Sequence, residues 1–362
     1  MQNTFALLFI AAACGVAAFP SQNHSSTPDA ADVWKHKKIS LEEAFVLPEL
    51  VEHVFSFPQP IGVSNETFRA QFLDIGPIRL QQMDDLGIDY MILSHTAPLA
   101  QGVNESDAAE ALATRANDYL GENIKNNTDR LGGFAMLSLH DPMQAANELE
   151  RAVSNYGFHG AFMYTYQDYS FNETYYLSDP RYDPLWQRLV DLDLPVYIHP
   201  RGPGPRQMLD YLPSTPDLIG GGYQFSNDVG LTLMKMIAYG VFDRFPSLKV
   251  ISGHMGEHLP SDLFRLDAQV DRLRSALNLP ALHDVSYYFQ NNFYETTSGD
   301  FADDLLNFHI QQIGIERILF SVDYPYENLA DGTKWLDNLT LPDGEKAQIA
   351  RGNALKLLKL DG

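Results

Sequence analysis

Eight short apolar runs, separated by longer stretches of helical periodicity, constrain this chain more than any other feature. The runs cover 38–42, 89–95, 132–139, 159–165, 194–199, 248–254, 293–298 and 318–323. They are rich in Val, Ile, Leu and aromatic residues and have the length of strands. Between them lie Asp107–Asn126, Met143–Tyr156, Leu185–Leu192, Gly230–Phe242, Leu259–Leu277 and Phe301–Ile313, where apolar residues recur at helical spacing. A helix returns the chain to the end it left, so successive strands run parallel. Eight such units predict a (β/α)₈ TIM barrel, an α/β fold, with a last helix over Gly344–Leu360. An open doubly wound sheet would need a Gly-rich phosphate turn after the first strand, and none follows Glu42.

In such a barrel the chemistry gathers at the C-terminal ends of the strands. Glu42, His199, His254 and Asp323 each end one of the runs. Each has an ordinary structural alternative: a helix cap for Glu42, a strand-end histidine for His199, an N-cap or turn residue for Asp323. Converging on one rim, two carboxylates and an imidazole make a divalent-metal set. His254 and Glu257 stand in Gly253-His254-Met255-Gly256-Glu257, where a strand gives way to a helix. A carboxylate beside a neutral imidazole raises its basicity, an arrangement suited to proton transfer.

The 362 residues suffice for one large domain with a sizeable core. A net charge of -22 argues against nucleic acid or an anionic membrane as partner, since both are polyanions. Residues 1–18 read as a signal peptide, with an apolar core over 5–18 ending in small residues. At 14 residues that core is short for a membrane span, so cleavage after Ala18 is expected to leave no membrane anchor. Residues 19–36, polar and Pro/Ser-rich, read as a disordered leader, and 37–362 as the barrel domain. Asn-x-Ser/Thr acceptors at Asn23, Asn65, Asn104, Asn126, Asn172 and Asn338 fit a secreted, extracellular glycoprotein. The single cysteine, Cys14, lies in the presumed signal, so the mature chain has no disulfide.

The segments ISLEEAF, VYIHPR, VISGHMGEHLP, ETTSG and ILFSVDYPYEN, in this order, resemble the amidohydrolase-related decarboxylases. The likeness is greatest to the 2,3-dihydroxybenzoate and γ-resorcylate decarboxylase group within the aminocarboxymuconate-semialdehyde decarboxylase superfamily, and it runs from about Lys37 to Leu360. The resemblance implies a barrel of the metal-dependent hydrolase type and a homo-oligomer, dimer or tetramer. It implies one divalent ion (Zn²⁺, Mn²⁺ or Mg²⁺) on Glu42, His199 and Asp323, and a catalytic His254 supported by Glu257. Asp323 is a second candidate for the proton donor, and Arg265 is a substrate contact. The implied reaction is non-oxidative loss of carbon dioxide from an ortho-hydroxybenzoic acid of 2,3-dihydroxybenzoate, salicylate or resorcylate type. Protonation of the ring carbon that bears the carboxylate would precede loss of carbon dioxide.

Two positions depart from that pattern. Many relatives carry a second ligand two residues after the first, where this chain has Ala44. Fewer nitrogen ligands leave Mg²⁺ and Mn²⁺ competitive with Zn²⁺. At the end of the fourth run Tyr164 stands where relatives tend to have Asn, so a substrate contact by Tyr164 is expected to alter the accepted ring substitution. The competing functions are an amide or lactone hydrolase on the same barrel, disfavoured by Ala44, and a protein that binds aromatics without turning them over.

Overall fold

The computed structural model describes residues 35, 37–55, 64–170, 173–204, 207–209 and 214–360. The expected signal peptide and nearly all of the leader lie outside the described residues. Two strands pair first, β1 (Lys38–Phe45) with β2 (Ile88–His95). The third barrel position is split into β3 (Leu131–Gly133) and β4 (Ala135–Met136), with only Phe134 between them. β3 pairs with β2 and β4 with β5 (Ala161–Tyr164), which carries the sheet past the break. A hairpin, β6 (Tyr166–Ser170) and β7 (Glu173–Tyr176), follows outside the barrel. Then come β8 (Pro195–His199), β9 (Lys249–Ser252), β10 (Phe293–Thr296) and β11 (Ile318–Leu319), paired in the order β5-β8-β9-β10-β11. Every pair in the barrel wall is parallel.

The seam between the last strand and the first is closed largely by side chains. Ser321 Oγ accepts from the amides of Leu41 (3.1 Å) and Glu42 (2.8 Å) and donates to Glu43 Oε1 at 2.9 Å. Glu43 also accepts from the amides of Val322 (3.2 Å) and Tyr324 (2.6 Å), and Ala44 N donates to Tyr324 O. Burial raises the pKa of Glu43, and these donors oppose that shift. A buried carboxylate held this way joins two strand ends at the height where chemistry sits.

Helices cover the outside for reasons visible in their sequences. Pro142–Tyr156 begins with Asp141 accepting from the amides of Met143 and Gln144, and it ends at Gly157, whose φ of 68° releases the chain. Its Ala145, Ala146, Leu149 and Ala152 face the barrel. Ser106–Ile124 and Leu259–Leu277 match the expected helices to within two residues. Other expectations are corrected. The helices Asn65–Leu73 and Pro77–Leu86 occupy a stretch where no helix was expected, and neither shows a strong apolar stripe. The expected final helix is interrupted by a π-turn over Gln348–Gly352.

Candidate active site

Parallel register brings the strand ends level. Tyr164 on β5 pairs with His199 on β8, and Ile198 pairs with Ser252 on β9, one residue before the turn that carries His254. Glu42, His199, His254 and Asp323 meet there, each offering a ligand atom, all within 4.8 Å of one another.

Glu42 is the buried member. Thr296 Oγ1 on β10 donates to its Oε2 at 2.9 Å, and Tyr197 OH stands 2.9 Å from the same Thr296 oxygen. Its Oε1 is buried without a hydrogen-bond donor among the described residues. An unpaired buried carboxylate oxygen is costly unless a cation completes it. Gly253 is what lets this oxygen reach the centre, since a Cβ there would lie 2.4 Å from Glu42 Oε1.

His199 points Nδ1 at its neighbour's carbonyl, Pro200 O, 2.6 Å away. That bond fixes the proton on Nδ1 and leaves Nε2 as a lone pair, 3.4 Å from Glu42 Oε1. Burial lowers the pKa of His199, which favours the neutral ligand form.

His254 is held the other way round. Its Nδ1 lies 2.7 Å from Glu257 Oε1, so Nε2 faces inward, 3.6 Å from Asp323 Oδ2 and 3.9 Å from Glu42 Oε1. Burial works against the imidazolium, but the charges of Glu257 and Glu42 and the bond to Asp323 outweigh it and raise the pKa well above the ordinary value. Asp323 is pushed up to about 8, by burial first and by the nearby Glu42. The two side chains face each other and titrate as a pair, each affecting the proton affinity of the other.

The turn that carries His254 is unusual. His254, Met255, Gly256, Glu257 and His258 all have positive φ, between 48° and 69°. Left-handed backbone costs an L-residue about 1–2 kcal/mol, so such a run persists only where its surroundings hold it. Asp323, with φ 77°, is in the same region.

Three positions named from sequence lie apart from the four. Tyr164 is buried, and its hydroxyl donates to His95 O at 2.5 Å; its ring stands edge-on to His199, 6.1 Å between centroids. Arg265 is exposed on Leu259–Leu277, and no hydrogen bond or ion pair among the described residues joins it to the cluster. Ala44 shares its strand face with Glu42, and its methyl belongs to an apolar cluster with Val46, Val54, Phe68 and Phe72. Sequence reading missed the supports: Thr296, Tyr197, Gly253, and the pair Glu43 and Ser321. The one signal was position, since Thr296 ends the seventh strand and Gly253 precedes His254.

The amidohydrolase family profile matches residues 58–360. The γ-resorcylate decarboxylase of Polaromonas sp. strain JS666 is 37% identical over 325 residues, 90% of this chain and 99% of its own. The γ-resorcylate decarboxylase of Rhodococcus jostii is 36% identical over 328 residues, again 90% and 99%. Among solved structures, the dihydroxybenzoic acid decarboxylase of Polaromonas sp. JS666, with bound manganese and the inhibitor 2-nitroresorcinol, superposes with a TM-score of 0.84. It is 36% identical, covering 90% of this chain and 97% of that one.

Proposed function

The chain belongs to the amidohydrolase family, alongside the γ-resorcylate decarboxylases, and from that premise we propose that it removes carbon dioxide non-oxidatively from an ortho-hydroxybenzoic acid to leave a phenol. The observation that carries this reading is the convergence of Glu42, His199, His254 and Asp323 within 4.8 Å, with Glu257 behind His254.

The donor set fits a divalent cation: Glu42 Oε1 lacks a donor among the described residues, His199 Nε2 is left as a lone pair, and a carboxylate oxygen of Asp323 lies within 4.8 Å of both. Manganese is the proposed ion, by likeness to the Polaromonas structure, with Mg²⁺ or Zn²⁺ compatible with the same ligands. When bound, it supplies Lewis-acid polarisation and a fixed point for the substrate's carboxylate and ortho-hydroxyl oxygens. The protein's part is the proton. His254 Nε2 and Asp323 Oδ2, 3.6 Å apart, hold it at the inner face of the site. Transfer to the ring carbon bearing the carboxylate breaks aromaticity; cleavage of the carbon–carbon bond returns its electron pair to the ring and releases carbon dioxide. Glu257 stabilises the charged imidazole and fixes which nitrogen faces inward.

Incubating the metal-loaded protein with salicylate, 2,3-dihydroxybenzoate and 2,6-dihydroxybenzoate, and following carbon dioxide release, tests the reading. In D₂O the phenol should carry deuterium at the former carboxylate position. Release from none of the three overturns it.

The proposal extends to the chain's setting. The apolar segment 5–18 and the six glycosylation acceptors support export with cleavage near Ala18 and N-glycosylation. Asn65, Asn104, Asn126 and Asn338, the acceptors among the described residues, are all exposed. No described helix is long and apolar enough to cross a membrane. A homo-oligomer is supported by the apolar side chains left exposed on and after Leu259–Leu277, among them Phe264 (89%) and Leu282 (69%). Sedimentation of the purified protein would decide it.

A further inference from the structure

Behind the turn that carries His254 lies a second group of polar side chains with no part in the reaction above. Glu295 on β10 and His309 in the helix Asp303–Ile313 are fully buried. His309 Nδ1 stands 3.0 Å from each oxygen of Glu295, and its Nε2 stands 3.0 Å from Ser261 Oγ in the first turn of Leu259–Leu277. One strand and two helices are thereby tied together.

Strand alternation explains the placement. Thr296 points into the barrel and donates to Glu42, so its neighbour Glu295 points outward, toward the helices. There its carboxylate closes on Gly256, the middle residue of the left-handed turn. A Cβ on Gly256 would lie 2.8 Å from Glu295 Oε2 and 2.8 Å from Pro260 Cδ. The turn is thus pressed between Glu295 and the start of the next helix. Adjacent residues of one strand support the two sides of the site, Thr296 the ligand Glu42 and Glu295 the turn bearing His254 and Glu257. Burying a carboxylate and an imidazole is costly unless each satisfies the other, and apolar residues would fill the space at lower cost. A serine, histidine and glutamate in this order also resemble an acyl-transfer relay. The amide of Ser261, however, is committed to His258 O at 3.0 Å and cannot serve as an oxyanion donor.

We propose that Glu295, His309 and Ser261 are positioning residues that brace the left-handed turn His254–His258 and thereby set the placement of His254 against Glu257. The inference rests on the decarboxylase reading for its kinetic consequence, though not for its structural one. Misplacement of a catalytic group by about 1 Å can cost up to about 100-fold in rate.

The test uses the full-length, metal-loaded protein and the variants Glu295→Gln, Glu295→Leu and His309→Gln. Expected for Glu295→Leu and His309→Gln is a 10- to 100-fold fall in kcat with KM and metal content near wild type, an order of magnitude set by the same misplacement argument. Glu295→Gln keeps the shape and an acceptor for His309, so it should recover most of the rate. The imidazole resonances of His254, recorded with diamagnetic Zn²⁺ in place of manganese and assigned by their loss in His254→Asn, should shift in the two impaired variants and stay near the wild-type position in Glu295→Gln. Variants that fold but keep wild-type kcat and an unshifted His254 signal overturn the proposal. If Glu295→Leu does not fold, His309→Gln against Glu295→Gln decides the matter. Should the wild type release carbon dioxide from no hydroxybenzoate, the proposed function fails alone, because the His254 resonances still report on the bracing.

Discussion

The carboxylate of Glu257 reaches Nδ1 of His254 at 2.7 Å because both residues, three positions apart, lie in one left-handed turn, with φ of 53° and 48°. The turn directs Glu257 behind the imidazole, and Nε2 is left facing Asp323 and Glu42. The buried carboxylate beside the outer nitrogen thus raises the proton affinity of the imidazole.

Replacing that charge should therefore change the pH profile as well as the rate. In Glu257→Gln the imidazolium loses a main source of its stabilisation, and the pKa of His254 falls. At neutral and higher pH less of the acid form remains, so the alkaline limb of kcat should move to lower pH. The rate should fall by about 10²-fold, the lower end of what loss of a positioned acid or base costs. Rate measurements from pH 5 to 9 check this; an unmoved alkaline limb would show that Glu257 does not control His254.

The metal set admits two independent disruptions. His199→Ala removes a ligand outright. Gly253→Ala removes none, yet its Cβ would lie 2.4 Å from Glu42 Oε1 and must displace that oxygen. Metal affinity should fall in both, by about 10- to 100-fold for the displaced ligand. Metal analysis of the purified variants reads the outcome, and full occupancy in His199→Ala would remove His199 from the set.

Tyr164 separates a structural role from a substrate contact. Its hydroxyl is already donated to His95 O. Tyr164→Phe leaves that buried carbonyl without its donor and should cost about 1–3 kcal/mol of stability, with KM little changed. Urea unfolding and steady-state kinetics on one preparation check both halves. A raised KM at unchanged stability would instead mark the phenol as a substrate contact.

His95 predicts a loss of stability in acid. Its Nε2 accepts from Leu47 N and its Nδ1 donates to Thr96 O, so the ring is held neutral, and burial lowers its pKa from 6.5 to about 4. The folded state then binds fewer protons than the unfolded chain between those values. The contribution is complete above pH 6.5 and lost as pH falls toward 4, about 3 kcal/mol in all. Raised carboxylates such as Glu43 act in the opposite direction over the acid range, so the comparison must be with a variant. Between pH 6.5 and 4, His95→Asn should lose less stability than the wild type by about that amount. Equal losses would mean that His95 is not held neutral.

If the chain is exported and glycosylated, glycosidase treatment of protein from its native host should lower the apparent mass, and its N-terminus should begin near Phe19. An intact Met1 and an unchanged mass would defeat that reading.

Strand ends and their chemistry were legible in the sequence because alternation in a strand is local and periodic. An apolar run that ends in Glu42, His199 or Asp323 announces both the strand and its functional tip, and parallel strands bring the tips level. The helices Ser106–Ile124 and Leu259–Leu277 were legible for the same reason, since each repeats its pattern over several turns. Asn65–Leu73 and Pro77–Leu86 were not, because Arg79, fully buried and donating to Ala44 O, does the work an apolar stripe would otherwise announce. The left-handed run from His254 to His258 has no local signature beyond Gly256, and its four other residues disfavour that conformation by themselves. Only tertiary packing decided it, with Glu295 and Pro260 pressing on Gly256. Tertiary packing likewise decided that Glu42, and not its neighbour Glu43, faces the metal site. Both are acidic and adjacent, but Ser321 and the amides of Val322 and Tyr324 lie on one side of β1 and hold Glu43 there.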